Sequence, residues 1–287
     1  MSTPFQSLLS TYSCQTQNDY INAIHEIIQE IALVGLSRAK FFEHAAFYGG
    51  TALRILYGLD RFSDDLDFSL LQPQSDFSLH SYLLGVQEEL KGFGVNGTIE
   101  HKTKAHPSSI LSAFLKANTM ETFLLIDLPE QERRKITHNQ KFKIKFEIDT
   151  DPPPAFETEV KFLLRPIPFS VKSFTLPNLF AGKMHDLLFR KWEIRVKGRD
   201  WYDFVWFVSN QVPLHLAHLE MRMRQTNQWT ERLTPEIFRS LLEDKINHLP
   251  IDLAKEDVIP FLRDRKKIDV WSKEFFLSLV SRVSFSF

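Results

Sequence analysis

The spacing of apolar residues along the chain predicts strands and helices first, and then a run of helices. Apolar residues recur every three or four positions from 18 to 42, which predicts an amphipathic helix in which Gly35 is a candidate break. The clearest period-two alternation, typical of a strand, covers 141–149. The predicted strands are 45–48, 66–71, 98–104, 121–127, 141–149 and 162–168, and the predicted helices are 18–42, 52–57, 78–91, 176–191, 200–210, 213–224, 235–247, 254–264 and 271–283.

This order of elements is typical of an α+β protein. We expect a mixed, twisted sheet with flanking helices in residues 1–170, including the N-terminal helix, and a helical C-terminal domain in residues 171–287. The boundary follows three consecutive prolines at 152–154, which end the strand pattern. A length of 287 residues is enough for one large domain or two smaller ones.

Composition narrows the classes of function. The formal net charge is −1, which argues against a nucleic-acid binder covered in positive charge but allows a local basic face. The single cysteine, Cys14, excludes an internal disulfide framework and cysteine-rich zinc sites. The N-terminus lacks the pattern of a secretory signal, and no apolar run approaches the ~20 residues that span a bilayer. We therefore expect a cytoplasmic protein that does not enter the membrane.

Residues suited to chemistry are concentrated in one stretch, YGGTALRILYGLDRFSDDLDF, from Tyr48 to Phe68. Gly49 and Gly50 lack side chains, so a backbone N–H group there can approach a phosphate closely. Thr51 is expected to cap the following helix and to offer its hydroxyl to the same ligand. The helix N-terminus points partial positive charge at an anion. Together these features predict a phosphate cradle.

Two aspartates complete the stretch. Asp65 and Asp67 lie at i and i+2 among apolar residues, so a strand places both carboxylates on one face of a sheet. Two carboxylates near a phosphate cradle suit Mg²⁺ held against a nucleoside triphosphate. In the preceding turn, Arg61 is expected to pair with Asp64 or Asp65 or to contact phosphate, and Ser63 to donate to the triphosphate. Strand alternation places Asp64 on the opposite face.

With the segment KGRDWYDFVWF, from Lys197 to Phe207, this stretch resembles the AbiEii toxin family of nucleotidyltransferases, within the DNA polymerase β-like superfamily. That family includes toxins of bacterial abortive-infection systems and MenT-type tRNA-modifying toxins. The resemblance implies a minimal nucleotidyltransferase fold, a helical C-terminal domain and a nucleotide bound in the cleft between them. It also implies NTP as substrate, two magnesium ions, the 3′ end of tRNA as acceptor and a cognate antitoxin.

Polymerase-type transfer needs a third carboxylate on a neighbouring strand. In the segment 141–149, KFKIKFEID, alternation places the charged residues on one face. The resemblance favours Glu147 as the third carboxylate, with Asp149 in reserve, so the predicted metal ligands are Asp65, Asp67 and one of these two. The competing interpretation is an edge strand whose charges prevent aggregation.

The resemblance also assigns residues in the C-terminal half. Lys183, on a helix, steadies the phosphates, and Arg199, Asp200 and Asp203 belong to the opening of the next helix. Asp203 is expected to matter for activity. The two aspartates have open roles: orienting Lys183 or Arg199, or acting on the acceptor hydroxyl or a metal. A long spacer leaves Lys191 as the alternative to Lys183, and acids that complement a helix dipole are the competing interpretation.

Basic residues beside this block are the candidate RNA contacts, because a row of cations on one face suits a phosphate backbone. The candidates are Arg190, Lys191, Arg195, Lys197 and Arg199. Further basic groups lie at 133–135, 141–145, 222–224 and 263–267. Scattered solvated charge explains the same residues equally well.

Two other classes of function stay open. One is a different enzyme on the same scaffold, such as a small-molecule nucleotidyltransferase of the aminoglycoside type or a protein AMPylase. The other is a non-catalytic module that binds a nucleotide and signals through its helical domain. Nothing in the chain demands an oligomer, and we expect a monomer.

Overall fold

The computed structural model describes residues 3–101, 119–128, 130–136, 142–191 and 196–287. The chain forms two compact units, neither of them continuous in sequence. The sheet unit comprises Met1–Tyr57, Phe62–Pro152 and Glu159–Ser173, and the helical unit comprises Gly58–Arg61, Pro153–Thr158 and Phe174–Phe287. Two short segments that precede residue 170 belong to the helical unit: Gly58–Arg61, inside the first motif, and Pro153–Thr158, which begins within the triple proline.

The elements of the sheet unit begin with two helices and end with a pair of strands. They are α1 (Pro4–Leu9), α2 (Gln17–Arg38), β1 (Ala45–Tyr48), α3 (Gly49–Tyr57), β2 (Leu66–Leu70), α4 (His80–Gly92), β3 (Asn96–His101), β4 (Thr119–Asp127), α5 (Glu130–Arg133), β5 (Phe142–Asp149), β6 (Thr158–Leu163) and β7 (Phe169–Phe174). The last residue of β7 and the first of β6 are assigned to the helical unit.

Seven strands form one mixed sheet in the order β3-β4-β5-β2-β1-β7-β6. Strand β1 is antiparallel to β2 and parallel to β7, β2 is parallel to β5, and β4 is antiparallel to both β3 and β5. The sheet is mixed and helices pack with it, so the predicted α+β class is confirmed. The parallel pairing of β2 with β5 matters most for function, since it brings the Asp-x-Asp strand beside the strand that carries Glu147.

The core of the sheet unit follows the predicted periodicities. Along β5 the apolar residues Phe142, Ile144, Phe146 and Ile148 are buried, while the charged residues between them are exposed or half-buried. This alternation leaves one face of β5 for polar chemistry. On α2 the apolar stripe is likewise buried.

The predicted break at Gly35 is wrong. Helix α2 continues to Arg38. A Cβ atom on residue 35 would lie 2.6 Å from the Cα of Val86 on α4, so glycine is needed there for the close approach of two helices.

Other elements differ in extent from their predictions. The strand predicted at 162–168 is two strands, β6 and β7, on either side of a turn that contains the cis peptide Arg165–Pro166. Helix α1 was not predicted, and Lys141, expected to begin β5, lies outside the described residues.

The helical unit contains six helices within the described residues. They are α6 (Leu176–Phe189), α7 (Gly198–Ser209), α8 (Leu216–Gln225), α9 (Pro235–Asn247), α10 (Ile251–Val258) and α11 (Lys273–Val280), and two short strands, β8 (Leu214–His215) and β9 (Phe285–Ser286), pair in parallel. The helix predicted at 213–224 therefore begins at Leu216, and the two predicted at 254–264 and 271–283 are shorter. No helix in the described part of the chain has the length and apolarity needed to span a membrane.

Two contacts position α7. The rings of Phe180 on α6 and Phe207 on α7 stack with centroids 4.4 Å apart. A Cβ atom on Gly198 would overlap the backbone carbonyl of Ala254 on α10, so the first residue of α7 must be small. These contacts hold the start of α7, where Asp200 and Asp203 lie, within the core of the helical unit.

Candidate active site

The phosphate cradle lies where β1 leads into α3. Gly49 has φ +83° and is the first residue of α3, directly after Tyr48. A Cβ atom at this position would collide with a carboxylate oxygen of Asp67. Glycine is therefore required twice, by its backbone conformation and by the close approach of Asp67. The unpaired N–H groups at the start of α3 are the donors that a phosphate would use.

Thr51 has a different local role from the predicted cap. Helix α3 begins two residues before it, so Thr51 lies within the first turn and is fully buried. Its hydroxyl donates to the backbone carbonyl of Asp65. The side chain thus ties α3 to the start of β2 and fixes Asp65. A contact between its hydroxyl and a nucleotide stays a prediction.

The turn before β2 is held by a residue that the sequence analysis missed. Gln29 on α2 is buried, and its side-chain amide donates to the carbonyls of Ser63 and Asp64, both at 2.9 Å. Burial lowers the pKa of His25 on α2, and the negative charge of the Asp64 carboxylate partly opposes that shift. The sequence feature that could have identified Gln29 is a polar residue at a core position of an isoleucine-rich helix.

The register of the sheet brings the predicted carboxylates together. Asp67 of β2 is the direct neighbour of Glu147 of β5, and Ser69 is the neighbour of Asp149. Neighbouring strands lie about 4.8 Å apart, and residues in register face the same side. Asp65 precedes β2 by one residue and is half-buried, as are Asp67 and Glu147. We call Asp65, Asp67 and Glu147 the carboxylate set.

The same register separates the two candidates for the third carboxylate. Glu147 lies beside Asp67, and its Oε1 is 2.8 Å from Nζ of Lys145. Asp149 lies two residues further along, where its Oδ1 accepts the backbone N–H of Asp151 at 3.0 Å and so closes the turn after β5. The geometry therefore favours Glu147, with Asp149 in a structural role.

The donor chemistry of the carboxylate set fits magnesium, because carboxylate oxygens are the protein ligands that this hard cation prefers. Because Gly49 has no side chain, a carboxylate oxygen of Asp67 can lie close to the start of α3. Within the described ranges, no group of three or more His, Cys, Asp or Glu side chains is already arranged closely enough to hold a metal. Asp65, Asp67 and Glu147 are the residues that would hold the ion.

The residues assigned by resemblance in the C-terminal half form a second constellation, within the helical unit. Arg61 makes a two-point ion pair with Asp203, Nε to Oδ1 and Nη2 to Oδ2, both at 2.6 Å. Nζ of Lys183 is 2.9 Å from Oδ2 of Asp203 and 3.8 Å from Oδ1 of Asp200. Nε of Arg190 is 3.2 Å from Oδ2 of Asp200. We call these five residues the buried charge cluster.

Burial sets the electrostatics of this cluster. The side chains of Arg61 and Asp203 are 2% and 0% exposed. Burial alone would raise the pKa of Asp203, but Arg61 and Lys183 outweigh it and hold that pKa below its ordinary value. Burial would likewise lower the pKa of Lys183, but Asp203 and Asp200 raise it. Asp203 and Lys183 are therefore both charged at neutral pH.

The buried charge cluster changes the predicted partner of Arg61 and bears on the choice between Lys183 and Lys191. Arg61 was expected to pair with Asp64 or Asp65 or to contact phosphate; it is buried and bound to Asp203. Lys183 meets both aspartates of α7, whereas Lys191 is exposed, so the geometry favours Lys183 over Lys191 as the family lysine. A contact between Lys183 and phosphate stays a prediction, and here its charge is matched by Asp203.

The four predicted RNA contacts that lie in the described ranges do not form an exposed basic row. Among those that the structure describes, Lys191 alone is exposed. Arg190 is paired with Asp200, and burial lowers the pKa of Lys197. The guanidinium of Arg199 lies over the ring of Phe261 at 4.1 Å. Arg195 lies outside the described residues.

Solved structures show which fold this is. MenT4, a nucleotidyltransferase toxin from Mycobacterium tuberculosis, matches with 14% identity and a TM-score of 0.51, covering 98% of both chains. JHP933 from Helicobacter pylori matches with 16% identity and a TM-score of 0.52, covering 91% of this chain and 90% of that one. Another H. pylori structure, described as a nucleotidyltransferase, has 17% identity, a TM-score of 0.51 and 89% coverage of both chains. The fold is that of nucleotidyltransferases.

The family follows from the sequence comparison. The profile described as "Nucleotidyl transferase AbiEii toxin, Type IV TA system" matches residues 31–277. The chain therefore belongs to the AbiEii nucleotidyltransferase toxin family, and the resemblance noted from its motifs is confirmed. A search of curated proteins found no significant match.

Proposed function

We propose that this protein is a magnesium-dependent enzyme that transfers a nucleoside monophosphate from a triphosphate to the 3′ end of tRNA. The observation that carries the proposal is the register of β2 with β5, which places Asp67 beside Glu147. The glycine cradle that approaches Asp67 supplies the phosphate side of the same site. Membership of the AbiEii family supports the class of reaction.

In this proposal the carboxylate set does the chemistry. The 3′ hydroxyl oxygen of the acceptor bonds to the α-phosphorus, the bond to pyrophosphate breaks, and the hydroxyl proton passes to Glu147. The ion pair with Lys145 orients Glu147 for that transfer. Asp65 and Asp67 would hold two magnesium ions, which would supply Lewis-acid stabilisation of the phosphoryl oxygens. Gly50 and the start of α3 receive the triphosphate.

The buried charge cluster acts by positioning. Asp203 accepts from Arg61 and from Lys183 on α6, so it links three segments of the helical unit: the short stretch that carries Arg61, α6 and its own helix α7. Because Asp203 is fully buried, its carboxylate is poorly placed to attack a substrate directly. Asp203 matters for activity because it holds these elements in place.

The biological role that fits this chemistry is that of a toxin. Nucleotides added to the 3′ end of tRNA block aminoacylation and hence translation, and an antitoxin encoded beside the toxin prevents this damage. A role in abortive infection of phage-infected cells, in the cytoplasm, follows from the same chemistry. Support for the toxin comes from the family match.

The deciding experiment is label transfer. The protein is incubated with each α-labelled triphosphate, magnesium and total tRNA, beside an Asp65→Ala/Asp67→Ala variant. Label on RNA that is lost in the variant supports the proposal and names the base. Label on protein instead points to an AMPylase. No label on any acceptor, despite magnesium-dependent nucleotide binding in a thermal-shift assay, would refute transfer to tRNA.

A further inference from the structure

The helical unit contains an aromatic pocket that the proposed chemistry does not use. Its volume is about 490 Å³, within the range of about 300–1,000 Å³ typical of small-ligand sites. Four aromatic side chains line it, those of Tyr202, Trp206, Trp271 and Phe275, and Asp60 and Lys267 supply its charged groups. The pocket combines apolar surface for stacking with a few polar groups for orientation.

The walls of the aromatic pocket are held by the core behind them. Trp271 is 3% exposed and packs edge-on against the ring of Phe276, with centroids 5.2 Å apart. Trp206 packs edge-on against Phe207 at 5.4 Å and is half-buried, so part of its indole remains accessible. A flat ligand placed there would stack on preorganised surfaces, which reduces the entropy cost of binding.

The polar end of the pocket presents an acceptor next to a donor. The hydroxyl of Tyr202 donates to Oδ1 of Asp60 at 2.8 Å, and Nζ of Lys267 pairs with Oδ2. Burial would raise the pKa of Asp60, but the bonds from Lys267 and Tyr202 hold it below its ordinary value, so the carboxylate stays ionised. Both charged side chains remain partly exposed, at 41% and 50%. Such a pair matches the edge of a nucleobase, where N–H donors and acceptors alternate.

A basic segment borders this end. Residues 263–267, with sequence RDRKK, are exposed throughout and carry four cations, including Lys267 in the pocket itself. The Asp264 side chain accepts the backbone N–H of Lys266 at 3.0 Å and fixes the turn. Cations next to aromatic surface are the combination that single-stranded nucleic acid requires, since the phosphates and the bases then each have a partner.

We propose that the aromatic pocket binds one unstacked nucleobase of a single-stranded RNA, with the adjoining phosphates on the basic segment 263–267. This inference rests on the proposed RNA acceptor and adds where the single-stranded part of that acceptor is recognised. Charge complementarity favours RNA over a protein partner, because the pocket is bordered by several cations and by aromatic rings suited to a base. The base stacks on Trp206, and its edge meets Asp60 and Lys267.

The test compares two tryptophans of the same unit. The full-length wild type, Trp206→Ala and Trp229→Ala are titrated with fluorescent single-stranded RNA carrying the sequence of a tRNA 3′ end, and binding is followed by anisotropy. Trp229 is half-buried and does not line the pocket, so it controls for loss of an indole. Removal of one stacking surface should weaken binding by about 5- to 150-fold in Trp206→Ala only.

Two further variants keep the test decisive. Trp206→Phe retains an aromatic face and should recover much of the affinity, which a purely structural role would not predict. Arg265→Gln/Lys266→Gln should reduce the slope of log affinity against log salt by about 0.7 for each phosphate that is no longer neutralised. Folding is checked in every variant by the magnesium-dependent thermal shift with NTP.

The outcomes separate the two proposals. Equal RNA affinity in Trp206→Ala and the wild type would overturn the assignment of the pocket to a nucleobase. The pocket would then be left to a protein partner, and the proposal that RNA is the acceptor would still stand. If the wild type neither binds RNA nor transfers label to it, the RNA acceptor fails and the pocket assignment fails with it. A retained nucleotide-dependent thermal shift would then show that the nucleotide site survives both failures.

Discussion

The carboxylate set and the buried charge cluster both bring acidic and basic residues together, and the two are built differently. In the carboxylate set, Glu147 is 27% exposed and has one nearby cation, Lys145, which is itself 26% exposed. In the buried charge cluster, Asp203 is 0% exposed and is bound by Arg61 and Lys183. Carboxylates that remain accessible suit metal and substrate, whereas enclosed and neutralised ones suit positioning. Burial and pairing distinguish the two roles, although the residue types are the same.

Asp67→Asn should produce the largest effect on activity. Loss of one carboxylate charge from the set should lower the rate of nucleotide transfer by at least about 10²-fold, because stabilisation by a bound metal is worth several kcal/mol in the transition state. The rate is measured by label transfer. The matched control is Asp64→Asn, three residues earlier in the turn before β2. Transfer in Asp67→Asn within tenfold of the control would remove Asp67 from the active site.

Asp203→Ala should produce the largest effect on stability. The substitution leaves two buried cations, Arg61 and Lys183, without their shared carboxylate, at a cost of about 3–5 kcal/mol in the free energy of unfolding. Urea denaturation measures this cost, and Asp244→Ala, on a side chain that is 77% exposed, is the control. A loss below about 1 kcal/mol would contradict the positioning role, since it would mean that the cluster contributes little.

Glu30→Gln compares the pH dependence of a buried ion pair in the sheet unit with that of the buried charge cluster. Burial raises the pKa of Glu30 to about 7 despite its ion pair with Arg165 at 3.0 Å. A carboxyl group whose pKa is raised by folding stabilises the folded protein at pH values below the pKa of that group in the unfolded chain. This stabilisation is lost as the pH rises through about 7, the pKa of Glu30 in the folded protein. Glu30→Gln should therefore gain stability relative to wild type between pH 5 and pH 8, by no more than about 3 kcal/mol.

The pH dependence of Asp203 has the opposite sign. Its pKa is lowered in the folded protein, so its contribution is present above the unfolded pKa of about 4 and is lost as pH falls. Urea denaturation of the wild type, Glu30→Gln and Asp203→Ala from pH 3 to pH 8 records both trends. A difference between Glu30→Gln and wild type that does not change with pH would show that Glu30 is not the titrating group.

Asp149→Asn should have the smallest effect. Asp149 closes the turn after β5 by one hydrogen bond to Asp151, so the substitution should cost about 1 kcal/mol of stability and leave transfer within about threefold. Glu147→Gln is the comparison and should lose activity as Asp67→Asn does. Equal activity losses in Asp149→Asn and Glu147→Gln would place both side chains in the metal site.

Some of this architecture was predictable from local pattern. The alternation in 142–149 gave the correct faces of β5, and the strand predicted at 45–48 matches β1. Thr51 was misassigned as a cap because the start of a helix depends on backbone geometry that the positive φ of Gly49 makes possible. Gly35 was misassigned as a break because its close contact with Val86 comes from a helix about fifty residues away.

The sequence by itself determined the α+β class and the resemblance to the AbiEii family, and it predicted Asp65 and Asp67 as a carboxylate pair, because strand alternation and motif spacing are local properties of the chain. Only the tertiary structure decided that Glu147 and not Asp149 is the neighbour of Asp67, since parallel register is set between strands far apart in sequence. It also decided that Arg61 belongs to Asp203, a partner 142 residues away. Burial turns that distant pair into a structural contact, and no local pattern encodes burial of this kind.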